Sequence, residues 1–330
     1  LKNMPINNTS YYTVGSMFSG IGGIDLGFIQ AGFEVVWAND NDAAACRTYR
    51  HNFGEDCLIE GDIRKIDKSK IPSFDILVAG FPCQPFSLAG PHKGFEDKRG
   101  NLFFQIVEVA QLIRPRVIFM ENVANLIDHD DGKTFITMFN SLSGLNYVLC
   151  YRNMPSNEYG NTPQTRNRTY VVAFSEDALC DRFKYPEPIE LTTGIFDIIK
   201  RDVKQKEVYY YREGDRFWNY MVDNVKRKDS IYRVHDSGIH LAKNYTCPTL
   251  TASMGTRDDM VPIVIDDFGY RKLTVRECLD FQGFPKNFSF PTGTTMKEAY
   301  KQIGNSVCVT VIRRIAEQIH KVMEEYDAIE

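Results

Sequence analysis

The first half of the chain alternates short apolar runs with longer amphipathic ones, and few folds accept that rhythm. Residues 14–18, 33–38, 74–79, 117–120, 147–151 and 169–174 read as strands. Between them, residues 23–31, 42–52 and 102–113 read as helices. Runs of about 4–8 residues rich in Val, Ile and Phe suit buried strands, whereas helices need more length. The alternation predicts an α/β fold, a doubly wound and mostly parallel sheet with helices on both faces. Ligands in such sheets bind at the carboxyl ends of the strands, so residues just past each run are the candidates for chemistry.

The rhythm breaks near Tyr185-Pro186-Glu187-Pro188. Residues 188–270 are rich in Tyr, Asp and Lys and short of long periodic segments, which predicts a smaller irregular domain or insertion. Regular structure resumes with a helix over 274–281 and an amphipathic one over 307–325. The expected organisation is therefore a first domain over 1–187, a second over 188–270, and a segment 271–330 that hinges and returns to the first. No internal repeat or low-complexity tract interrupts this plan.

At 330 residues, 43% hydrophobic and 25% charged, the chain has an ordinary globular composition and can bury a sizeable core. No apolar run approaches the roughly 20 residues that span a bilayer. The amino terminus lacks a signal-peptide core, and its start at Leu1 is expected from a trimmed end. Eight cysteines are scattered singly, with no Cys-x-x-Cys and no His pair at ligand spacing, so no metal is expected. Scattered thiols fit a reducing cytoplasm. The net charge of −4 neither announces nor excludes a nucleic-acid partner, because binding depends on a local face. Residues 200–243 hold eleven Lys and Arg against seven Asp and Glu, a local excess that the whole-chain sum hides.

Gly80-Phe81-Pro82-Cys83-Gln84-Pro85-Phe86-Ser87 follows the strand-like run 74–79. A proline directly before Cys83 fixes the backbone and points the thiol at one place. A lone cysteine is more often a small core residue, so its company decides. Phe18-Ser19-Gly20-Ile21-Gly22-Gly23 joins the first strand to the first helix, where glycines let the backbone turn tightly and approach a ligand. The pattern is not Gly-x-Gly-x-x-Gly, so it supports a nucleoside without phosphates, such as S-adenosylmethionine, over a dinucleotide. Asp40 ends the second strand, where a carboxylate accepts from ribose hydroxyls, and Asp62 lies where an adenine amino group donates. A helix cap or turn aspartate is an equal reading for each. Glu121 ends the strand expected beside that of Cys83, where a partly buried carboxyl keeps or shares a proton; its alternative is a helix cap. In Gln164-Thr165-Arg166-Asn167-Arg168 the arginines suit a base carbonyl, a phosphate or a structural carboxylate, the last especially for Arg166.

Six blocks stand in the order and spacing of the DNA (cytosine-5) methyltransferases, and the chain resembles that family, in its bacterial or phage restriction-modification form. The blocks are the glycine-rich turn, the Pro82-Cys83 segment, Glu121-Asn122-Val123, the Gln164 to Arg168 motif, residues 271–285, and Gln302-Ile303-Gly304-Asn305-Ser306-Val307. The likeness covers nearly everything outside 188–270. It implies a Rossmann-like S-adenosylmethionine-dependent catalytic domain with a target-recognition domain over 188–270. Double-stranded DNA is the implied substrate and S-adenosylhomocysteine the product. A monomer is expected, and a cognate endonuclease in the same system is compatible with this reading.

By that resemblance Cys83 adds to carbon 6 of a flipped cytosine, Glu121 acts on ring nitrogen 3, and Arg168, with Arg166 nearby, steers the base. The implied cofactor pocket comprises Phe18, Gly20, Gly22, Gly23, Asp40, Asn41, Asp62, Ile63, Pro82, Leu102, Asn305, Ser306 and Val307. Asn41 departs from the aromatic or apolar residue that several members place against adenine. Residues 87–99 match the family's mobile catalytic loop, with Ser87, Lys93 and Arg99 as DNA contacts. Thr249 and Leu250 resemble the pair that helps position the target cytosine, and Arg257 is a further candidate DNA contact. A tRNA methyltransferase on the same scaffold and a silent DNA-binding relative are the alternatives. The Cys-Phe-Thr tripeptide of the tRNA branch is absent, which favours DNA.

Overall fold

In a computed structural model, residues 12–81, 102–215, 218–235, 238–257 and 260–329 are described. The chain divides into two compact units, Leu1–Met154 with Asn167–Glu187 and Ile312–Glu330, and Pro155–Arg166 with Pro188–Val311.

The first unit is built on seven strands: β1 (Thr13–Met17), β2 (Glu34–Asp40), β3 (Leu58–Glu60), β4 (Ile76–Gly80), β5 (Val117–Val123), β6 (Val148–Pro155) and β7 (Asn167–Phe174). They lie in the order β3-β2-β1-β4-β5-β7-β6. The pairs β3·β2, β2·β1, β1·β4 and β4·β5 are parallel, and β7 runs antiparallel to β5. The direction of strand order reverses between β1 and β4, which is where doubly wound sheets bind their ligands. Four expected strands are longer than the apolar runs alone suggested, because β2, β5, β6 and β7 extend past those runs into polar residues.

The helices α1 (Gly23–Gln30), α2 (Ala43–Phe53), α3 (Leu102–Ile113) and α4 (Lys133–Ser143) flank these strands in the sequence. Burial on both faces explains the uninterrupted apolar makeup of β4 and of residues 117–120 in β5. Leu77, Ala79, Ile118 and Met120 join Phe103, Ile106 and Val109 of α3 in one core. The alternate residue Phe119 meets Phe28 of α1, ring centroids 5.3 Å apart.

In the second unit, β8 (Tyr232–His235), β9 (Gly238–Leu241), β10 (Ile263–Asp266) and β11 (Gly269–Lys272) form an antiparallel sheet in the order β11-β10-β8-β9. The smaller domain expected over 188–270 carries this short sheet among its irregular segments. The strands are only four residues long, too short for a two-residue period to stand out against Tyr, Arg and His side chains. Met221, Val225, Tyr232, Val234, Ile263 and Ile265 supply their core.

Helix α5 (Val275–Phe281) starts at a capping box in which the Thr274 hydroxyl accepts from Glu277 N–H and the Glu277 carboxylate accepts from Thr274 N–H. The same carboxylate holds the fully buried Arg271, which also meets Asp266 at 2.7 Å. Helix α6 (Met296–Asn305) packs so closely on residues 251–256 that a Cβ on Gly304 would lie 2.1 Å from the Thr251 carbonyl carbon. The last helix, α7 (Val309–Asp327), begins two residues later than its amphipathic pattern, and only its part from Ile312 groups with the first unit. Residues 271–311 group with the second unit and 312–330 with the first. Gly27 of α1 faces α7, where a Cβ would stand 2.5 Å from Ile312 Cγ2. Among the described residues no helix is long and apolar enough to cross a membrane.

Candidate active site

The turn that leaves β1 is held by its neighbour β2. Ser19 N–H donates to Asn39 O at 3.0 Å, and Gly20 N–H donates to Asp40 Oδ2 at 2.8 Å. Gly20 (φ 54°) and Gly22 (φ 81°) both take left-handed backbone, which L side chains disfavour. Their surroundings differ. A Cβ on Gly22 would strike the Phe53 ring at 2.3 Å, whereas one on Gly20 meets nothing within 4 Å. Gly22 therefore serves packing, and Gly20 leaves an open cradle. Gly61 offers similar open space.

Asp40 has a second task in the structure, since its Oδ1 accepts from Asp42 N–H at 2.8 Å. Burial raises its pKa, against the pull of these backbone donors. A carboxylate has about four acceptor positions, so two bonds to the backbone leave room for others. The buried Asn39 amide donates to Ile59 O and Gly61 O, tying the end of β2 to the segment that carries Asp62. Asp62 is gripped by Arg64, which holds its carboxyl down to about 2. Ile63 is buried, Asn41 is exposed, and Phe18 and Leu102 pack partly against the core. An open backbone cradle with carboxylate acceptors on two neighbouring segments suits ribose hydroxyls and an amino group, and repels phosphate. The residues present fit a nucleoside sulfonium such as S-adenosylmethionine.

β4 leads out of the sheet to Phe81, whose carbonyl accepts from the Asn122 amide at 2.9 Å. That bond fixes the chain at the end of β4. Cys83 itself, Pro82, Ser87, Lys93 and Arg99 lie outside the described residues, as does the expected catalytic loop. Gly80 is in register with Glu121 on β5, which is in register with Tyr170 on β7. Glu121 is only 8% exposed. Arg168 Nε approaches its Oε1 to 3.2 Å, yet among the described residues that oxygen accepts no hydrogen bond. The pair is close but misaligned, and leaves a buried carboxylate oxygen unsatisfied beside the exit of β4. Such an oxygen is costly to bury unless a ligand group engages it.

Arg166 is placed differently from Arg168. It lies buried in the second unit, where its guanidinium donates to Leu250 O at 2.9 Å, to Gly304 O at 3.5 Å and to Ser306 O. The side chain of Leu250 is fully buried. Gln164 donates to Phe281 O and accepts from Leu250 N–H, and the Thr249 hydroxyl donates to Thr165 O at 2.8 Å. This motif is a hub of backbone contacts joining segments far apart in sequence. Asn305 is exposed, Ser306 and Val307 are buried, and Arg257 is an exposed residue capping a short helix.

The profile of the family described as C-5 cytosine-specific DNA methylase matches residues 12–321. The chain belongs to that family. The type II methyltransferase M.Bsp6I of Bacillus sp. (strain RFL6) is 44% identical to this methylase, over 94% of the chain and 99% of its own length. M.SsoII of Shigella sonnei is 38% identical over 97% and 83%. M.HhaI of Haemophilus parahaemolyticus is 34% identical over 92% of each. Among solved structures, a Spodoptera frugiperda DNMT2 variant has a TM-score of 0.71 at 22% identity, covering 94% of this chain and 99% of its own. A putative DNA modification methyltransferase from an E. coli prophage has a TM-score of 0.67, also at 22%, covering 95% and 99%. At that identity the likeness is one of fold.

Within the first unit, the methylase brings together the glycine-rich turn with Asp40, and Glu121 with Arg168. Three residues escaped the sequence reading. Asn39 and Asn122 act through backbone carbonyls of neighbouring strands, which no local pattern reveals. Asp25 reads as an ordinary acid in the first turn of a helix, but it is fully buried. The signal available was its company, since it is the one charged side chain in Gly-Ile-Asp-Leu-Gly-Phe-Ile-Gln.

Proposed function

We propose that this methylase moves the methyl group of S-adenosylmethionine to carbon 5 of a cytosine flipped out of duplex DNA. It does so at a set recognition sequence, as the modification enzyme of a type II restriction-modification system in a bacterial or phage-infected cell. Relatives named as type II methyltransferases, alignable over nearly the whole chain, support that setting. The observation that carries the chemistry is Glu121, a buried carboxylate with an unsatisfied oxygen, beside Arg168 and one strand from the exit toward Cys83.

Carbon 5 of cytosine is a poor nucleophile. Cys83, as a thiolate, adds to carbon 6, and the displaced electron pair makes carbon 5 enamine-like. Glu121 gives a proton to ring nitrogen 3, or shares one with it, as charge builds on the ring. Arg168 holds the exocyclic oxygen and so fixes which base fits. The bound cofactor supplies an electrophilic methyl on a sulfonium. Gly20 and Gly61 give its nucleoside room, Asp40 accepts from the ribose, and Asp62 accepts from the adenine amino group. Loss of the carbon 5 proton to water or hydroxide, with departure of the Cys83 sulfur, restores the aromatic ring.

Arg166 acts at one remove in this scheme. Its bonds hold the backbone of Leu250 and Ser306, and so the settings of Thr249 and Asn305. Residues 188–270, with their local excess of basic side chains, read the target sequence.

Incubation with duplex DNA containing 5-fluorocytosine tests the proposal, because fluorine cannot leave as a proton does. A covalent complex is expected with the wild-type enzyme and none with Cys83→Ser. Labelled cofactor should mark duplex DNA. Label found in tRNA alone, or the absence of any trapped species, overturns the reading.

A further inference from the structure

Asp25 lies wholly inside the first unit, on α1, directly after the glycine-rich turn. Its Oδ1 accepts from the Ser16 hydroxyl of β1 at 2.6 Å, and its Oδ2 accepts from the Tyr49 hydroxyl of α2 at 2.7 Å. One carboxylate thus joins the strand before the turn, the helix after it and the next helix along the chain. Tyr49 carries the connection back to the turn. Its ring packs on Phe53 with centroids 4.6 Å apart, and these two rings form the wall against Gly22.

Among the described residues Asp25 has no ion-pair partner. The charged group that acts on it most is Asp40, of like sign. Other elements around it offer no compensating cation. Tyr49 on α2 stands next to Cys57, β1 offers the Ser16 hydroxyl, and β4 meets α1 through Gly80. On α7, which packs on α1 at Gly27, the half-exposed Arg313 is engaged with Glu317 at 3.4 Å. A buried carboxylate without a cation is a poor choice for stability, since an apolar residue of similar size would cost less. Retaining such a group points to a task at the site it supports.

We propose that Asp25 is a positioning residue for the cofactor: it sets the Phe18 to Gly23 turn, through Ser16 and Tyr49, in the shape that leaves Gly20 open and lets Gly20 N–H bind Asp40. This rests on the cofactor reading given above. The ionised carboxylate accepts from both hydroxyls at full strength. Once protonated, one of its oxygens becomes a donor and a poorer acceptor, so one of the two bonds weakens or reverses its direction. Burial raises the Asp25 pKa to about 6, so the change falls within an accessible pH range.

The test is the dissociation constant of S-adenosylhomocysteine between pH 5 and pH 8, by calorimetry, with no turnover involved. In the wild-type protein, affinity should fall on the order of tenfold as pH drops through about 6, equivalent to about 1.4 kcal/mol. Asp25→Asn should bind on the order of tenfold more weakly at pH 8, with a flat profile below it. Tyr49→Phe, which keeps the ring and removes one donor, should fall between the two, and circular dichroism confirms that each variant is folded. A merely structural Asp25 would shift melting without altering the binding profile. The inference is overturned if Asp25→Asn retains the wild-type constant or the wild-type pH dependence, the latter assigning the titration to Asp40. A wild-type protein that fails to bind S-adenosylhomocysteine at pH 8 overturns the cofactor reading, and this inference with it.

Discussion

Arg168 Nε stands 3.2 Å from Glu121 Oε1 across the β5·β7 pairing, without the alignment of a hydrogen bond. The antiparallel register matches Arg168 with Val123 and Glu121 with Tyr170, so the two side chains reach toward each other along the strands. A carboxylate held by charge but not by a hydrogen bond remains available to another donor. The ring nitrogen of a bound base is such a donor once it carries a proton, and the guanidinium, whose Nη1 donates to Asn167 O at 2.7 Å, keeps Nη2 for a neighbouring oxygen.

Glu121→Gln should therefore preserve the fold and lose rate. The amide has nearly the same shape but cannot transfer a proton, and general acid catalysis contributes roughly 10²–10⁴-fold. Methyl transfer to duplex DNA, followed with labelled cofactor, should drop within that range, while S-adenosylhomocysteine affinity stays near wild type. An unchanged turnover rate would remove Glu121 from the chemistry.

Arg166→Ala should act on stability instead. Its guanidinium serves the carbonyls of Leu250, Gly304 and Ser306 inside the second unit, and truncation leaves them buried without that donor. Charged hydrogen bonds contribute about 1.5–3 kcal/mol each, so a loss of at least about 3 kcal/mol is expected. Urea denaturation measures it. Lysine cannot reproduce a planar fork, so Arg166→Lys should recover only part of the loss. A variant as stable as wild type but inactive would return Arg166 to direct contact with the base.

The sheet of the first unit was legible because its central strands are buried on both faces. Runs such as 76–79 and 117–120 can hardly be anything else, and the glycines at 20, 22 and 23 mark the turn between the first strand and helix. The second unit was far less so. Tyr232–His235 form a strand in which Tyr232 and Val234 are buried and Arg233 is exposed, but four residues do not establish a period. Side-chain to backbone ties were invisible for a different reason. That Arg166 serves three carbonyls while Arg168, two residues on, faces Glu121 depends on segments far away in the sequence. Asp25 shows the same limit, since its helix position permits both a solvated acid and a buried one.

Two glycine substitutions separate backbone cost from steric cost. Gly20→Ala adds a methyl into open space but at φ 54°, a strain of about 1 kcal/mol, so the protein should fold with slightly lowered stability and bind cofactor weakly. Gly304→Ala places a Cβ 2.1 Å from the Thr251 carbonyl carbon, which only a backbone shift relieves. It should cost several times more, on the scale of about 3 kcal/mol seen for overpacked cores. Thermal melting of the two variants decides the matter, and equal losses would contradict the close packing of α6 on residues 251–256.

Asp25 also makes stability depend on pH in a direction opposite to most carboxylates. Its pKa in the folded protein is about 6, against 3.8 for an unburied aspartate. The folded state therefore holds the proton more tightly than the unfolded state. The favourable contribution is fully present below about pH 4 and is lost as pH rises through 6. Above that, the ionised group costs on the order of 3 kcal/mol relative to an unburied one. Asp40, whose pKa is also raised, pushes the same way, while Asp62 and Asp327, whose pKa values are lowered, push the other way. Comparing wild type with Asp25→Asn cancels those three. The difference in unfolding free energy between the two proteins should change by about 3 kcal/mol from pH 4 to pH 7, with Asp25→Asn gaining relative stability as pH rises. Denaturant titrations at several pH values measure that difference, and parallel curves for the two proteins would show that Asp25 does not titrate in this range.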